Sequence, residues 1–181
     1  KCYNFISQLN VPIINTFIVK NNSLDNLNNF LNHHETTDFF IIKEKDGLDS
    51  RDLIIKNRFG VKSLFIKKQI DNYIVQPYLD GYSLFNCNLL SVNGEIIEYL
   101  VITQANNYDR KNFLGKNMFE NERFILDKSH PYFDKIVRYS KEIVKNSNYN
   151  GFADIEFLCS GNSVLLLEIN PRVSGQILTL I

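Results

Sequence analysis

The sequence predicts a mixed α+β protein built mainly from antiparallel hairpins, with a few helices. Three observations carry this expectation. Asn93-Gly94 stands between two strand-like runs, 82–92 and 95–103, and is a strong signal for a tight hairpin of the I′ type. A second pair of runs, 152–158 and 164–170, alternates apolar and polar side chains. Residues 131–146 place Phe133, Ile136, Val137, Ile143 and Val144 on one helical stripe, with Pro131 suited to a first turn.

The remaining elements follow in chain order. Residues 11–19 are rich in β-branched side chains and predict a strand. Ser23 is placed to cap a helix carrying Leu24, Leu27, Phe30 and Leu31. Residues 39–43 predict a short apolar strand, and 46–52 a polar loop. The run 59–69 reads as a short helix followed by a strand. Residues 73–79 predict a strand in which Pro77, lacking an N–H, sits at an edge or just past the sheet. The long polar stretch 104–128 predicts a binding or lid loop anchored by Phe113, Leu114, Met118 and Phe119.

Composition narrows the function. The chain has 181 residues and 44% hydrophobic side chains, enough for one sizeable domain or two small lobes. Twenty basic residues balance twenty acidic ones, which argues against nucleic acid or an anionic membrane as partner. No run of apolar residues is long enough for a spanning helix. Cys2, Cys87 and Cys159 are far apart and odd in number, which argues against a disulfide framework or a zinc site and predicts a reducing, cytoplasmic setting. The chain opens on Lys1 and ends within an apolar stretch, so it reads as a fragment of a longer protein. His33, His34 and His130 read as surface or loop residues without a catalytic role.

The most informative segment is GFADIEFLCSGNSVLLLEINPRVSG, residues 151–175. A three-residue loop at Ser160, Gly161 and Asn162 predicts Asp154 opposite Glu168 and Glu156 opposite Leu166. Alternation then sends Ala153, Ile155, Phe157, Leu165, Leu167 and Ile169 to an apolar face. Asp154, Glu156, Glu168 and Asn170 share the other face, whereas a one-residue slip would scatter them. Clustered carboxylates repel, so either some protonate, or a cation sits among them, or the face is simply solvated. Oxygen-only ligands suit a hard ion such as Mg2+ or Ca2+. Arg172, just beyond, can hold a phosphate or carboxylate bidentately.

These residues resemble a known family. Glu168-Ile169-Asn170-Pro171-Arg172-Val173-Ser174-Gly175 is similar to the metal-binding signature of ATP-grasp enzymes, in the carbamoyl-phosphate-synthase-like branch. Asp154-Ile155-Glu156-Phe157 resembles the stretch bearing the family's first magnesium carboxylate. The resemblance implies an ATP-grasp fold of two lobes, 1–79 and 80–181, with antiparallel sheets and helices holding ATP between them. It implies Mg2+ or Mn2+ ligands at Glu156, Glu168 and Asn170, with Asp154 in the nucleotide site. Arg172 and Lys43 become the catalytic cations, Lys43 closing the Phe40-Ile41-Ile42-Lys43 strand as a phosphate-binding lysine. Lys1 matches an earlier phosphate-binding basic residue.

Val75-Gln76-Pro77-Tyr78-Leu79-Asp80-Gly81 resembles the family's adenine hinge. By resemblance Gln76 lies near the adenine amine, and the Pro77 carbonyl and Leu79 amide meet the base edge; Tyr78 reads equally as packing near the base or as an ordinary core tyrosine. Two departures stand out. The phosphate loop, usually glycine-rich, reads Asp46-Gly47-Leu48-Asp49-Ser50-Arg51-Asp52, leaving Ser50 and Arg51 to reach phosphates. Ser83 takes the place of a ribose-binding Glu.

The implied activity is an ATP- and Mg2+-dependent ligase, most readily carbon–nitrogen bond forming, that activates a small carboxylate as an acyl-phosphate for an amine or thiol. The alternatives are phosphorylation of bicarbonate or carbamate, and nucleotide binding without turnover. A preceding amino-terminal domain is expected elsewhere in the protein, and a homodimer is among the expected assemblies.

Overall fold

The computed structural model describes residues 9–44, 53–104 and 123–174. They form two compact units. One runs from Ile14 to Leu79; the other joins residues 9–13 to 80–174. The sequence expectation had placed everything before residue 80 in one lobe. Residues 12 and 13 instead run beside the last strand of the other unit, where the Leu166 N–H donates to the Pro12 carbonyl at 2.8 Å and Ile13 forms a parallel bridge to Leu166.

The unit 14–79 contains β1 (Phe17–Ile18), α1 (Leu24–His33), β2 (Phe39–Glu44), β3 (Ile54–Asn57), α2 (Arg58–Ile66) and β4 (Tyr73–Pro77). The strands make an antiparallel sheet in the order β1-β4-β2-β3. Phe17, Phe40, Ile42 and Val75 face Leu27 and Leu31 of α1 and Val61 of α2, and all are buried. Ser23 caps α1 as expected, accepting from the Asn26 N–H at 3.1 Å.

Three expectations need correction in this unit. The run 11–19 is a strand only at Phe17–Ile18, because its first half serves the other sheet. The run 59–69 contains no strand; Asn57 caps α2 by accepting from the Gly60 N–H at 2.9 Å, and the helix runs to Ile66. β4 is an internal strand, so Pro77 lies at the end of a strand and not on an edge strand. Pro77 is tolerated because it is the strand's last residue, opposite Phe40, beyond the pairing with β1.

The other unit contains β5 (Ser83–Val92), β6 (Glu95–Gln104), β7 (Arg123–Ile125), α3 (Phe133–Ser147), β8 (Gly151–Ser160) and β9 (Ser163–Asn170). Its antiparallel sheet has the order β7-β6-β5-β8-β9. β7 was not foreseen, since three residues are too few to show alternation. The turn between β5 and β6 matches the expected type, with Asn93 at φ 52 and Gly94 at φ 75. A Cβ on Gly94 would also meet the Val144 carbonyl at 3.1 Å, so the turn seats against the end of α3.

α3 lies across one face of this sheet. Phe133, Ile136, Val137, Ile143 and Val144 are buried against Phe85, Cys87, Leu89, Ala153, Ile155 and Phe157. Cys87 and Cys159 are free and buried; burial pushes both thiols up to about 12. Both should therefore resist alkylation at pH 8 in the native protein and react only on unfolding, which a count of labelled thiols by mass spectrometry checks. Above pH 9 the unfolded chain ionises these thiols first, so stability falls as pH rises toward 12. No helix among the described residues is long and apolar enough to cross a membrane.

Candidate active site

The hairpin of β8 and β9 positions the acidic residues, but by a different route from the expected one. The loop has two residues, Gly161 and Asn162, because Ser160 already pairs with Ser163. Gly161 supplies the positive φ, 55°, that the tight turn needs. Near the turn Cys159 faces Val164 and Phe157 faces Leu166. Val164 and Leu166, not Leu165 and Leu167, therefore enter the core.

Continued without interruption, this register would send Glu168 to the α3 face. The ladder shifts by one between Phe157 and Glu156, leaving Leu167 as an extra residue on β9. The bulge restores parity. Glu156 then faces Glu168 directly, and Asp154 faces Asn170. The predicted pairings were each wrong, yet the predicted face is occupied by the predicted residues. Directly opposed residues on one face lie about 5 Å apart at Cβ, so the two glutamates are close neighbours.

The side chains on this face differ in character. Glu156 is half-buried and Glu168 exposed. Asn170 donates from Nδ2 to Glu156 Oε1 at 3.3 Å, so its amide oxygen is the atom it can offer to a cation. Asp154 is 2% exposed and accepts from Asn86 Nδ2 at 2.9 Å and from the Ser174 side chain. Burial raises the Asp154 pKa above the usual carboxylate value. The Asn86 and Ser174 hydrogen bonds and the Arg172 charge oppose that rise, while the Glu168 charge adds to it. Asp154 is thus buried and held by protein donors, whereas Glu156, Glu168 and Asn170 are the more exposed residues of this face. Among the described residues no group of three or more His, Cys, Asp or Glu side chains could hold a metal alone. A cation here would take Glu156, Glu168 and the Asn170 oxygen, completed by substrate oxygens, which suits Mg2+.

Asn86 and Asn88 were missed at the sequence level. They sit on β5 opposite Glu156 and Asp154, and are 1% and 2% exposed. Alternating Asn-Cys-Asn in an otherwise apolar strand was the available signal, since buried amides in a core strand need a reason. Ser83 lies on the same strand in phase with Phe85 and Cys87, so alternation places it across the sheet from the acids.

In the unit 14–79, Lys43 and Gln76 project from neighbouring strands onto the sheet face opposite α1 and α2. Lys43 pairs with Ile74, and Gln76 with Ile41. Gln76 is 3% exposed, and its Nε2 donates to Thr16 Oγ1 at 2.8 Å. Its Oε1 is buried and has no hydrogen-bond partner among the described residues. The Tyr78 N–H is taken by the Phe39 carbonyl at 2.9 Å, which fixes the hinge strand against β2. Leu79 is half-buried and closes this unit. Lys1, Ser50 and Arg51, and the anchors proposed within 105–122, lie outside the described residues.

No curated protein matches the sequence. Among solved structures, D-alanyl-alanine synthetase A from Vibrio cholerae superposes with a TM-score of 0.67 at 9% identity, over 93% of this chain and 53% of that one. D-alanine-D-alanine ligase from Coxiella burnetii gives 0.65 at 16% identity, over 94% and 46%. L-amino acid ligase from Bacillus licheniformis gives 0.60 at 14% identity, over 98% and 41%. The chain thus spans about half the length of these proteins, and at such identities the likeness is one of fold. The family model of the ATP-grasp domain matches residues 1–176. With that match over nearly its whole length, the chain belongs to the ATP-grasp family.

Proposed function

We propose that this chain is the nucleotide-binding and catalytic part of an ATP-dependent ligase that activates a carboxylate as an acyl-phosphate for attack by an amine. The observation that carries the reading is the direct opposition of Glu156 and Glu168, with Asn170 alongside, on a face that also buries Asn86, Asn88 and Asp154. Like charges held that close are retained where a cation offsets them. The names of the similar structures point to joining of amino acids, which favours a carboxylate and an amine over bicarbonate.

Each residue then has a physical task. Gln76 presents Oε1 to the exocyclic amine of adenine, and the Pro77 carbonyl and Leu79 amide bracket the base edge, with Tyr78 held by β2. Lys43 offsets phosphate charge as a point cation. Glu156, Glu168 and Asn170 hold Mg2+ or Mn2+, which when bound supplies charge neutralisation at phosphate oxygens. Arg172 meets the transferring phosphoryl group or the acyl-phosphate with a planar fork of donors. No side-chain nucleophile is needed, because positioning and fixed charge suffice for this chemistry.

The test is ADP formation with Mg2+ and pairs of candidate amino acids. Release that needs both a carboxylate and an amine supports the ligase. Release driven by bicarbonate alone would replace it with carbamate-type phosphorylation. Tight ATP binding with no release under any pairing would overturn turnover altogether.

A further inference from the structure

Asn86 belongs to no motif, yet it is the only described side chain other than Ser174 seen to hydrogen-bond the Asp154 carboxylate. It stands on β5, in the middle of the sheet, between β6 and β8. Asp154 stands on β8, flanked by β5 and β9. The pair is therefore anchored on two internal strands of the sheet. Ser174 is outside the sheet, four residues past the end of β9, and is nevertheless only 2% exposed. The segment between, 171–174, has no ladder of its own. It is held at one end by a tight turn, in which the Arg172 N–H donates to the Asn170 carbonyl at 2.8 Å. At its other end it is held by the Ser174 bond to Asp154. Arg172 makes the first of these bonds with its own N–H and sits two residues before the second.

We propose that Asn86 is a positioning residue: by fixing the Asp154 carboxylate it secures Ser174, and through Ser174 the segment that carries Arg172. This rests on the reading of Arg172 as the phosphate contact. A carboxylate held by two side-chain donors is restricted in orientation; removing the Asn86 amide takes away one of them in a buried site. The segment then loses one of its fastenings. Arg172 must be ordered on binding at its own entropic cost.

Two measurements on the full chain test this. The first uses no ligand: hydrogen exchange in a peptide covering 168–174. Asn86→Ala and Ser174→Ala should both speed exchange there while leaving β5–β6 peptides distant from residue 86 unchanged. The second is calorimetric affinity for the Mg2+ complex of adenylyl imidodiphosphate. Each substitution should weaken it about tenfold. In an Arg172→Ala background neither should weaken it further, since they act through Arg172. Ser174→Ala removes only a hydroxyl outside the sheet, and so decides the matter if Asn86→Ala does not fold. Unchanged exchange at 168–174, or equal losses with and without Arg172, would overturn the proposal. Failure of the unaltered protein to bind the analogue would count against the ATP reading alone, with the exchange result still deciding the role of Asn86.

Discussion

Glu168→Gln should lower Mg2+-dependent ADP formation by about a hundredfold or more, the scale of losing one preorganised electrostatic contact at a transferring group. The substitution keeps shape and volume, and Glu168 is exposed at the far end of the hairpin, so the fold should be unaffected. What changes is charge. Glu156 would remain opposite a neutral amide, and the pair would keep one negative charge where a divalent ion needs two. Glu156→Gln should act alike, with an added loss of order, because Asn170 also bonds to Glu156. Raising Mg2+ should recover part of the activity of either variant. Turnover that stays within about twofold of the original, with an unaltered Mg2+ dependence, would show that the glutamates hold no catalytic ion.

Phe157→Ala should cost about 3–5 kcal/mol of stability, the usual range for emptying a fully buried aromatic site. Phe157 is 0% exposed and lies between α3 and the sheet, with the Tyr139 ring 6.5 Å away. It is also the last residue paired before the bulge, opposite Leu166. Its ring therefore helps keep the register that places Glu168 beside Glu156. Urea unfolding followed by circular dichroism would measure the loss through the midpoint at constant slope. A cost below about 1 kcal/mol would show that the register does not lean on this contact.

The relation between the two residues explains how much of the site was legible in sequence. Glu156 and Glu168 sit in strands joined by a short turn, so their nearness is a local matter, readable from alternation and a glycine. The detailed pairing was not readable. A two-residue turn and a three-residue turn differ by one step in register, and a single bulge reverses that step. Two errors of opposite effect left the acids on one face, and only the core residues of β9 betray the difference, with Val164 and Leu166 buried in place of Leu165 and Leu167. Ser83 shows the reverse case. Its place in a motif likens it to a ribose-binding Glu, while strand parity sets it on the face of Phe85 and Cys87.

Sequence alone specified the helix α3, the Asn93-Gly94 hairpin, the Ser23 cap and the pairing of the acidic strands, because each depends on neighbours within a few residues of one another. Tertiary structure decided that Asn86 would reach Asp154, 68 residues away, that Ser174 would close on the same carboxylate, and that residues 12 and 13 would serve the second sheet. Those contacts follow from which strands lie side by side. That order is set by the burial of whole faces rather than by any local preference, and it is invisible until the sheet is assembled.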